Sequence, residues 1–306
     1  MGSGSEVGVR WDELTIAVIG GDARDPEIAR LAAAAGATVR AYGPPWPSEG
    51  IEGVSLEQSS NAAAKGARYC LFPIPYSSDD ILYAPEAPAS IRVDDELLGQ
   101  LEAGAHAFLG RTNETISAVA ARAGITLHEY DADKELMLLR GPAIVEGAIA
   151  AAIGNTDVTI HAAEVCVVGF GTIGSLLVRT LIALGARVHV VARNPVQRAG
   201  AHAIGAVGHP LEELPELAPS VSMVFSTVPA QVVDRPVLER LPRGSLVLDI
   251  APPPDHADLE TAALLGHRAV WARGLGRRAP ITVGASQWMG LRRRIEELEA
   301  QRGSRG

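Results

Sequence analysis

Three glycines, Gly169, Gly171 and Gly174, have the most chemically specific spacing in the chain. They follow the apolar run 165–168 and precede an amphipathic segment over 173–184 that ends at Gly185. A strand entering G-x-G-x-x-G and leaving as a helix is an arrangement that binds a dinucleotide. The first glycine permits the tight turn, the second lets a diphosphate approach the main chain, and the third lets helix and strand pack closely. The helix start at Thr172, Ile173 and Gly174 faces the phosphate charge with main-chain N–H groups. Sites for the non-phosphorylated cofactor place Asp or Glu about 20 residues on, where it holds the ribose 2′-OH. Here Ala192 stands at the end of the second strand, followed by Arg193 and Asn194, with Arg198 one turn later. An acid repels a 2′-phosphate, whereas a guanidinium grips it bidentately. The pattern predicts NADP(H), with Arg193 as the main contact and Asn194 and Arg198 beside it.

Ligands of doubly wound sheets lie at the carboxyl ends of the strands. Ser226-Thr227-Val228-Pro229 ends the next long strand, which sets Thr227, Val228 and Pro229 beside the nicotinamide ribose. Asp249 ends the strand after it and reads either as a cofactor contact or as a turn cap. Gly20-Gly21-Asp22-Ala23-Arg24 also ends a strand but lacks the three-glycine spacing. Arg24 is a candidate fork for a substrate carboxylate, the alternative being a helix cap by Asp22 beside an exposed Arg24. Arg273, Arg277 and Arg278 follow the sixth strand, where they suit a di-acid or keto-acid or form an exposed basic loop.

Hydride transfer also requires a proton partner. His256 sits in a proline-held loop and belongs to the residue type that titrates near neutrality. Glu146 opens a linking segment, where burial between domains would raise its pKa. Ser77 and Ser78 follow a first-domain strand end and offer hydroxyls to a carboxylate. The other histidines show no metal-ligand spacing, so no metal is expected.

The 306 residues carry 27 Lys and Arg against 36 Asp and Glu, a formal charge of −9. An acidic balance of that size argues against a general nucleic-acid binder, which needs a basic face. Only Lys65 and Lys134 are available for Schiff-base chemistry. Two cysteines, Cys70 and Cys166, lie inside apolar runs, which suits a reducing compartment; a cytoplasmic location is expected. Residues 1–11 lack a signal-peptide pattern, and the longest apolar stretch, taken as 165–178, is too short to cross a bilayer and contains three glycines.

The elements that must position these residues repeat along the chain. Strands are expected at 15–19, 38–42, 68–72, 107–109 and 125–129, with helices over 26–35, 95–103 and 113–123. In the second half strands are expected at 165–168, 187–192, 221–227, 245–250 and 269–272. Continuous Val/Ile/Leu runs are what strands covered on both faces require, and the βαβ repeats imply α/β folding with parallel sheets. The fold class is therefore two doubly wound parallel-sheet domains around a cleft, the second a Rossmann dinucleotide-binding domain. Pro142 is read as the first turn of a linking helix over 142–154. The last helix, over 286–301, is expected to pack on the first domain. The domains are accordingly 1–141 with 285–306, a flavodoxin-like substrate domain, and 142–284.

The blocks Ile16 to Arg24, Val145-Glu146-Gly147-Ala148-Ile149, Asp157-Val158-Thr159-Ile160-His161, Val168 to Gly171 and Ala279 to Gly284 together resemble the dipicolinate synthase A-subunit family. The likeness runs in order from about Thr15 to the last helix. It implies an NADP(H)-using, dehydrogenase-like protein that makes pyridine-2,6-dicarboxylate from a cyclic hydroxy-tetrahydrodipicolinate, with a flavoprotein-like second subunit. The architecture it implies is shared with 2-hydroxyacid dehydrogenases. The chain departs from the family at three places, all expected to face the cleft. Ala143-Ile144 stands where Pro-Thr is usual, Arg273 to Arg278 replaces a Pro-Gly-Leu-Pro-Gly loop, and Pro252 to His256 replaces an Arg-Pro-Gly-Gly loop. All three bear on the substrate, and a related cyclic imine or amino/keto acid of specialised metabolism is the alternative. A second class of function is a non-catalytic NADPH-binding subunit or sensor that docks a partner protein. A homodimer is expected, without nucleic-acid or membrane partners.

Overall fold

The computed structural model describes residues 9–74, 76–78, 80–130, 133–251 and 257–304, with the main chain alone for 76–78. The chain forms two compact units, Met1–Arg140 with Ala279–Gly306, and Gly141–Arg278. The second segment of the first unit starts at 279 rather than 285, because the last helix begins at Pro280.

In the first unit the strands are β1 (Thr15–Ile19), β2 (Thr38–Tyr42), β3 (Val54–Leu56), β4 (Tyr69–Leu71), β5 (Tyr76–Ser78), β6 (Ile81–Leu82), β7 (His106–Leu109) and β8 (Thr126–Glu129). Six of them form one parallel sheet in the order β3-β2-β1-β4-β7-β8, and β5 and β6 make a separate antiparallel pair. The helices are α1 (Asp25–Ala34), α2 (Ser60–Ala64), α3 (Asp95–Leu98) and α4 (Glu114–Ala123). Local chemistry sets their ends. Asn113 caps α4 by accepting from the Ile116 N–H at 2.8 Å, and Gly124 closes it in the left-handed region at φ 68°. The sheet is covered on both faces. Ala17, Ile19, Cys70 and Leu109 face Leu97, Leu98 and Ile116, while Ile16, Val18 and Phe108 face the layer containing Ile28 and Ala29.

Helix α5 spans Lys134–Gly154. It begins eight residues before the expected linking helix, so Pro142 lies inside it rather than at its start. Packing at both ends outweighs the main-chain hydrogen bond that the proline removes. Leu136 is buried in the first unit's core, and Val145, Ala148 and Ala152 are buried in a core of the second unit. At 21 residues and a mean hydropathy of 1.6 this helix, not 165–178, is the one among the described residues long and apolar enough to cross a membrane by composition.

The second unit repeats the plan. Strands β9 (Glu164–Val168), β10 (Arg187–Val191), β11 (Val207–His209), β12 (Met223–Ser226), β13 (Leu246–Asp249) and β14 (Arg268–Trp271) form one parallel sheet, ordered β11-β10-β9-β12-β13-β14. Its helices are α6 (Thr172–Ala183), α7 (Pro195–Ala203), α8 (Leu214–Leu217), α9 (Arg235–Leu238) and α10 (Leu259–Leu264). Val165 and Val167 face Leu177, Val178 and Leu181 of α6, while Cys166 and Val168 face Leu214 and Leu238 on the other side. Both six-stranded orders place the break between outward-running halves at the first strand, which is the switch point where doubly wound folds bind ligands.

Helix α11 (Pro280–Gly303) packs on α1 in the first unit. Trp288, Leu291 and Ile295 are buried there, each full burial contributing about 1.5–3 kcal/mol. The rings of Trp11 and Trp288 lie 5.6 Å apart at 58°. Close approach needs two glycines: a Cβ on Gly284 would sit 2.5 Å from the Arg24 carbonyl oxygen, and one on Gly290 would sit 2.4 Å from Leu136 Cδ2.

Candidate functional site

The three glycines after β9 have three different environments. Gly169 lies at φ 99°, and a Cβ there would come within 2.5 Å of Thr227 Oγ1 and 2.6 Å of Val228 Cγ1. A Cβ on Gly174 would lie 2.5 Å from the Gly169 carbonyl oxygen. Thr227 helps hold this packing: its N–H and its hydroxyl both donate to the Val168 carbonyl, at 2.9 and 3.0 Å. Gly171 differs. Its φ of −81° and ψ of −162° suit any residue, and a Cβ there would meet no heavy atom within 4 Å. Gly171 is also the N-cap of α6 and provides no side-chain acceptor for the first-turn N–H groups of Thr172, Ile173 and Gly174. Open space in front of uncapped helix N–H groups suits a diphosphate, so these residues fit the dinucleotide that the spacing implies.

The end of β10 is tied down by main-chain contacts. The Ala192 N–H donates to the His209 carbonyl at 3.0 Å. Arg198 Nη1 donates to the carbonyls of Ala192 and Arg193, at 2.8 and 2.9 Å. The Asn194 side chain caps α7 by accepting from the Val196 N–H at 2.8 Å. Arg198 and Asn194 thus help to build the turn that carries Arg193. Arg193 is exposed, and among the described residues its guanidinium has no partner. Ala192 is buried, so no acid stands at this strand end.

Asp249 resolves as a turn cap. It is buried, and its two carboxylate oxygens accept from the N–H groups of Ala251 and Ala257, both at 2.7 Å. Both oxygens are thus engaged by main-chain N–H groups on either side of 252–256. Ser226, its neighbour in register on β12, is buried, and its Oγ has no partner among the described residues.

The expected substrate residues are distributed as follows. Glu146 is not buried: its side chain is 64% exposed and paired with Arg278. The Arg273 guanidinium lies over the Trp271 ring at 4.6 Å from its centroid. The Arg277 guanidinium packs against Gly274, which lies at φ 65°. His256 falls outside the described residues, as do the side chains of Ser77 and Ser78, whose main chain forms part of β5.

At the β1 end, the expected Asp22 cap beside an exposed Arg24 does not form. Arg24 is buried, and its Nε and Nη2 donate to the two carboxylate oxygens of Asp22 at 2.7 and 2.9 Å. That edge of the fork is occupied, and Asp22 serves Arg24 rather than capping α1, whose N-cap is Arg24 with no side-chain bond. Asp25 carries no signal of its own in the sequence pattern. Its carboxylate accepts from the Asp22 N–H at 2.8 Å, and burial pushes it up to about 7. The signal that could have found it was Gly21, at φ 107°, where a Cβ would overlap that carboxylate. Cys70 and Cys166 are free and buried, and burial raises both thiols, Cys166 to about 12. No group of three or more His, Cys, Asp or Glu among the described residues has a metal-binding arrangement.

Residues 15–130 match the family of the N-terminal domain of the dipicolinate synthase A-subunit, and residues 140–252 match the D-isomer specific 2-hydroxyacid dehydrogenase NAD-binding domain family. The chain is 30% identical over 295 residues to the dipicolinate synthase A-subunit of Bacillus subtilis (strain 168), covering 95% of this chain and 98% of the relative. The crystal structure of the same A-subunit of dipicolinate synthase from B. subtilis superposes with a TM-score of 0.84 at 28% identity, covering 94% of this chain and 97% of that one. The A-subunit from Bacillus halodurans gives a TM-score of 0.84 at 26% identity, with 92% and 97% covered. A transhydrogenase from Sinorhizobium meliloti shares the fold at a TM-score of 0.68 and 17% identity, with 94% of each chain covered. Gly169 to Gly174 therefore lies within a region that matches an NAD-binding domain family, and the chain belongs to the dipicolinate synthase A-subunit family.

Proposed function

We propose that this protein is an NADP(H)-dependent oxidoreductase acting on a small cyclic imine or carbonyl carboxylic acid. 4-Hydroxy-tetrahydrodipicolinate, converted to dipicolinate, is the substrate that family membership favours. The observation that carries the cofactor choice is Arg193, exposed and unpartnered among the described residues, at a strand end where buried Ala192 replaces the acid. When bound, the nicotinamide supplies or accepts the hydride. The α6 N–H groups at Thr172, Ile173 and Gly174 hold the diphosphate over Gly171. Arg193 holds the 2′-phosphate, and Thr227, Val228 and Pro229 border the nicotinamide ribose. To aromatise the ring, loss of water followed by loss of one hydride to the nicotinamide and one proton converts the hydroxy-tetrahydro acid to the diacid. A substrate carboxylate that takes Arg278 from Glu146 frees Glu146 to carry the proton, with His256 and Ser77 as the other candidates. Arg273 and Arg277, with Ser78 and the outer edge of Arg24, are the remaining groups proposed to meet the substrate's carboxylates.

The Glu146–Arg278 pair also supports a second reading, a non-catalytic NADPH-binding subunit, because paired charges serve a docking surface as well as a substrate. The two readings separate on turnover. Pure protein, alone and with a flavoprotein-like second subunit, is incubated with either redox form of the cofactor and a panel of cyclic imines and 2-keto acids. Absorbance change at the nicotinamide band supports the enzyme; tight NADPH binding without turnover on any of them refutes it. Arg193→Ala should weaken NADP+ by about 1.5–3 kcal/mol, the worth of a charged hydrogen bond, and leave NAD+ nearly unchanged. Equal losses for the two cofactors would refute the 2′-phosphate assignment.

A further inference from the structure

Four titratable side chains form an unbroken line across the β9-β10-β11 edge of the second unit. Glu164 Oε2 meets His189 Nε2 at 3.1 Å, His189 Nδ1 meets His209 Nε2 at 3.0 Å, and His209 Nδ1 meets Glu213 Oε2 at 2.9 Å. All four ring nitrogens are therefore engaged, in three hydrogen bonds. The outer two bonds each end on a carboxylate, which only accepts, so each needs a ring N–H. The middle bond needs one proton from either ring. Two neutral imidazoles carry two ring protons and complete two of the three bonds. Three protons complete all of them, and four set two N–H groups against each other in the middle.

We propose that His189 and His209 share one proton beyond those of two neutral rings, and that the completed chain makes His209 a positioning residue for the Arg193 turn. The link is the main chain: the His209 carbonyl takes the Ala192 N–H at 3.0 Å, one residue before Arg193. The inference rests on the cofactor reading above and adds what holds the 2′-phosphate contact in place. The facing charged groups are Glu164 from β9, Arg187 from β10 and Glu213 from the turn 211–213. From α7 the neighbour is Arg198, whose guanidinium is turned to the Ala192 and Arg193 carbonyls. Arg187 also binds Glu164 and keeps it an acceptor.

The first unit contains the control. His106 and His128 make the same diagonal step across adjacent parallel strands, with Nδ1 and Nε2 at 2.9 Å. No carboxylate is bonded to either ring among the described residues, so one bond is completed by two neutral rings. Burial pushes both histidines below the ordinary range, His128 to about 4.

The test uses the full chain, NADP+ and NAD+ as probes, and the variant Glu213→Gln. The glutamine amide can donate to His209 Nδ1, so the variant completes the chain with two neutral rings. In the unmodified protein, raising the pH from 6 to 8.5 should reduce the preference for NADP+ over NAD+ by about three- to tenfold, the range of one net hydrogen bond. In Glu213→Gln that dependence should disappear. The cofactor's own 2′-phosphate titrates near pH 6 in both experiments and cancels between the two proteins. Nitrogen-15 spectra of the histidine rings, without cofactor, should show a third ring proton on this pair in the unmodified protein and two in the variant. Identical ring protonation in the two proteins at every pH would overturn the shared proton. Identical pH courses of cofactor preference would overturn the positioning role. Failure of NADP+ to bind at any pH would overturn the cofactor reading and the positioning role with it, while the ring spectra would still decide the proton.

Discussion

Alanine at Gly171 and alanine at Gly174 add the same methyl group three residues apart, yet the structure predicts opposite consequences. At Gly171 the backbone already suits an L residue and the new Cβ meets nothing within 4 Å. Losing glycine's freedom in the unfolded chain stabilises by about 0.4–1 kcal/mol. Alanine is a poorer N-cap than glycine by a similar amount, so the two effects nearly offset. The methyl group does, however, fill the space through which a diphosphate would reach the α6 N–H groups. NADP+ affinity should fall at least tenfold, about 1.4 kcal/mol or more. At Gly174 the methyl carbon would lie 2.5 Å from the Gly169 carbonyl oxygen, so main chain must move. Overpacking of that kind costs about 1–3 kcal/mol, and this variant should lose thermal stability without any ligand. Thermal unfolding and cofactor titration by calorimetry on both variants check the pair. A Gly171→Ala protein that binds NADP+ like the parent would refute the diphosphate placement. An unaltered melting temperature in Gly174→Ala would refute the packing argument.

Two further outcomes follow from buried carboxylates. Asp249→Ala removes the acceptor for two buried N–H groups and should destabilise the chain by about 2–4 kcal/mol, measured by urea unfolding; a loss below about 1 kcal/mol would return Asp249 to the cofactor contacts. Asp25 has its folded value raised from 3.8 to about 7, so its contribution to stability is whole below 3.8 and is lost as pH rises through about 7. Melting temperature across that window should fall more steeply in the parent than in Asp25→Asn, and parallel curves would disprove the assignment.

Much of this protein was legible in its residues. The glycine-rich turn after β9, the alanine at position 192 and the apolar strand runs each act through near-neighbour chemistry, which spacing records directly. The parallel sheets follow from the same runs, because strands covered on both faces cannot alternate with polar residues. The short strands β3 and β11 were missed because three residues, one of them Gly208 in β11, carry no periodicity. Pro142 signalled a helix start and lies inside a helix, because side chains distant in sequence bury both ends of α5.

Only the fold could decide how the charges are spent. Arg24, Asp249 and Arg278 read as ligand contacts from their positions at strand ends. Their engagement with Asp22, with two main-chain N–H groups and with Glu146 depends on how the turns close. His189 and His209 stand 20 residues apart and have no ligand spacing, yet parallel register puts their rings in contact. Residue types and local order set which elements form and where the glycine-rich turn stands. The partner of each buried polar group depends on contacts between distant segments, because desolvation makes every such group take whatever donor or acceptor the packing brings within reach.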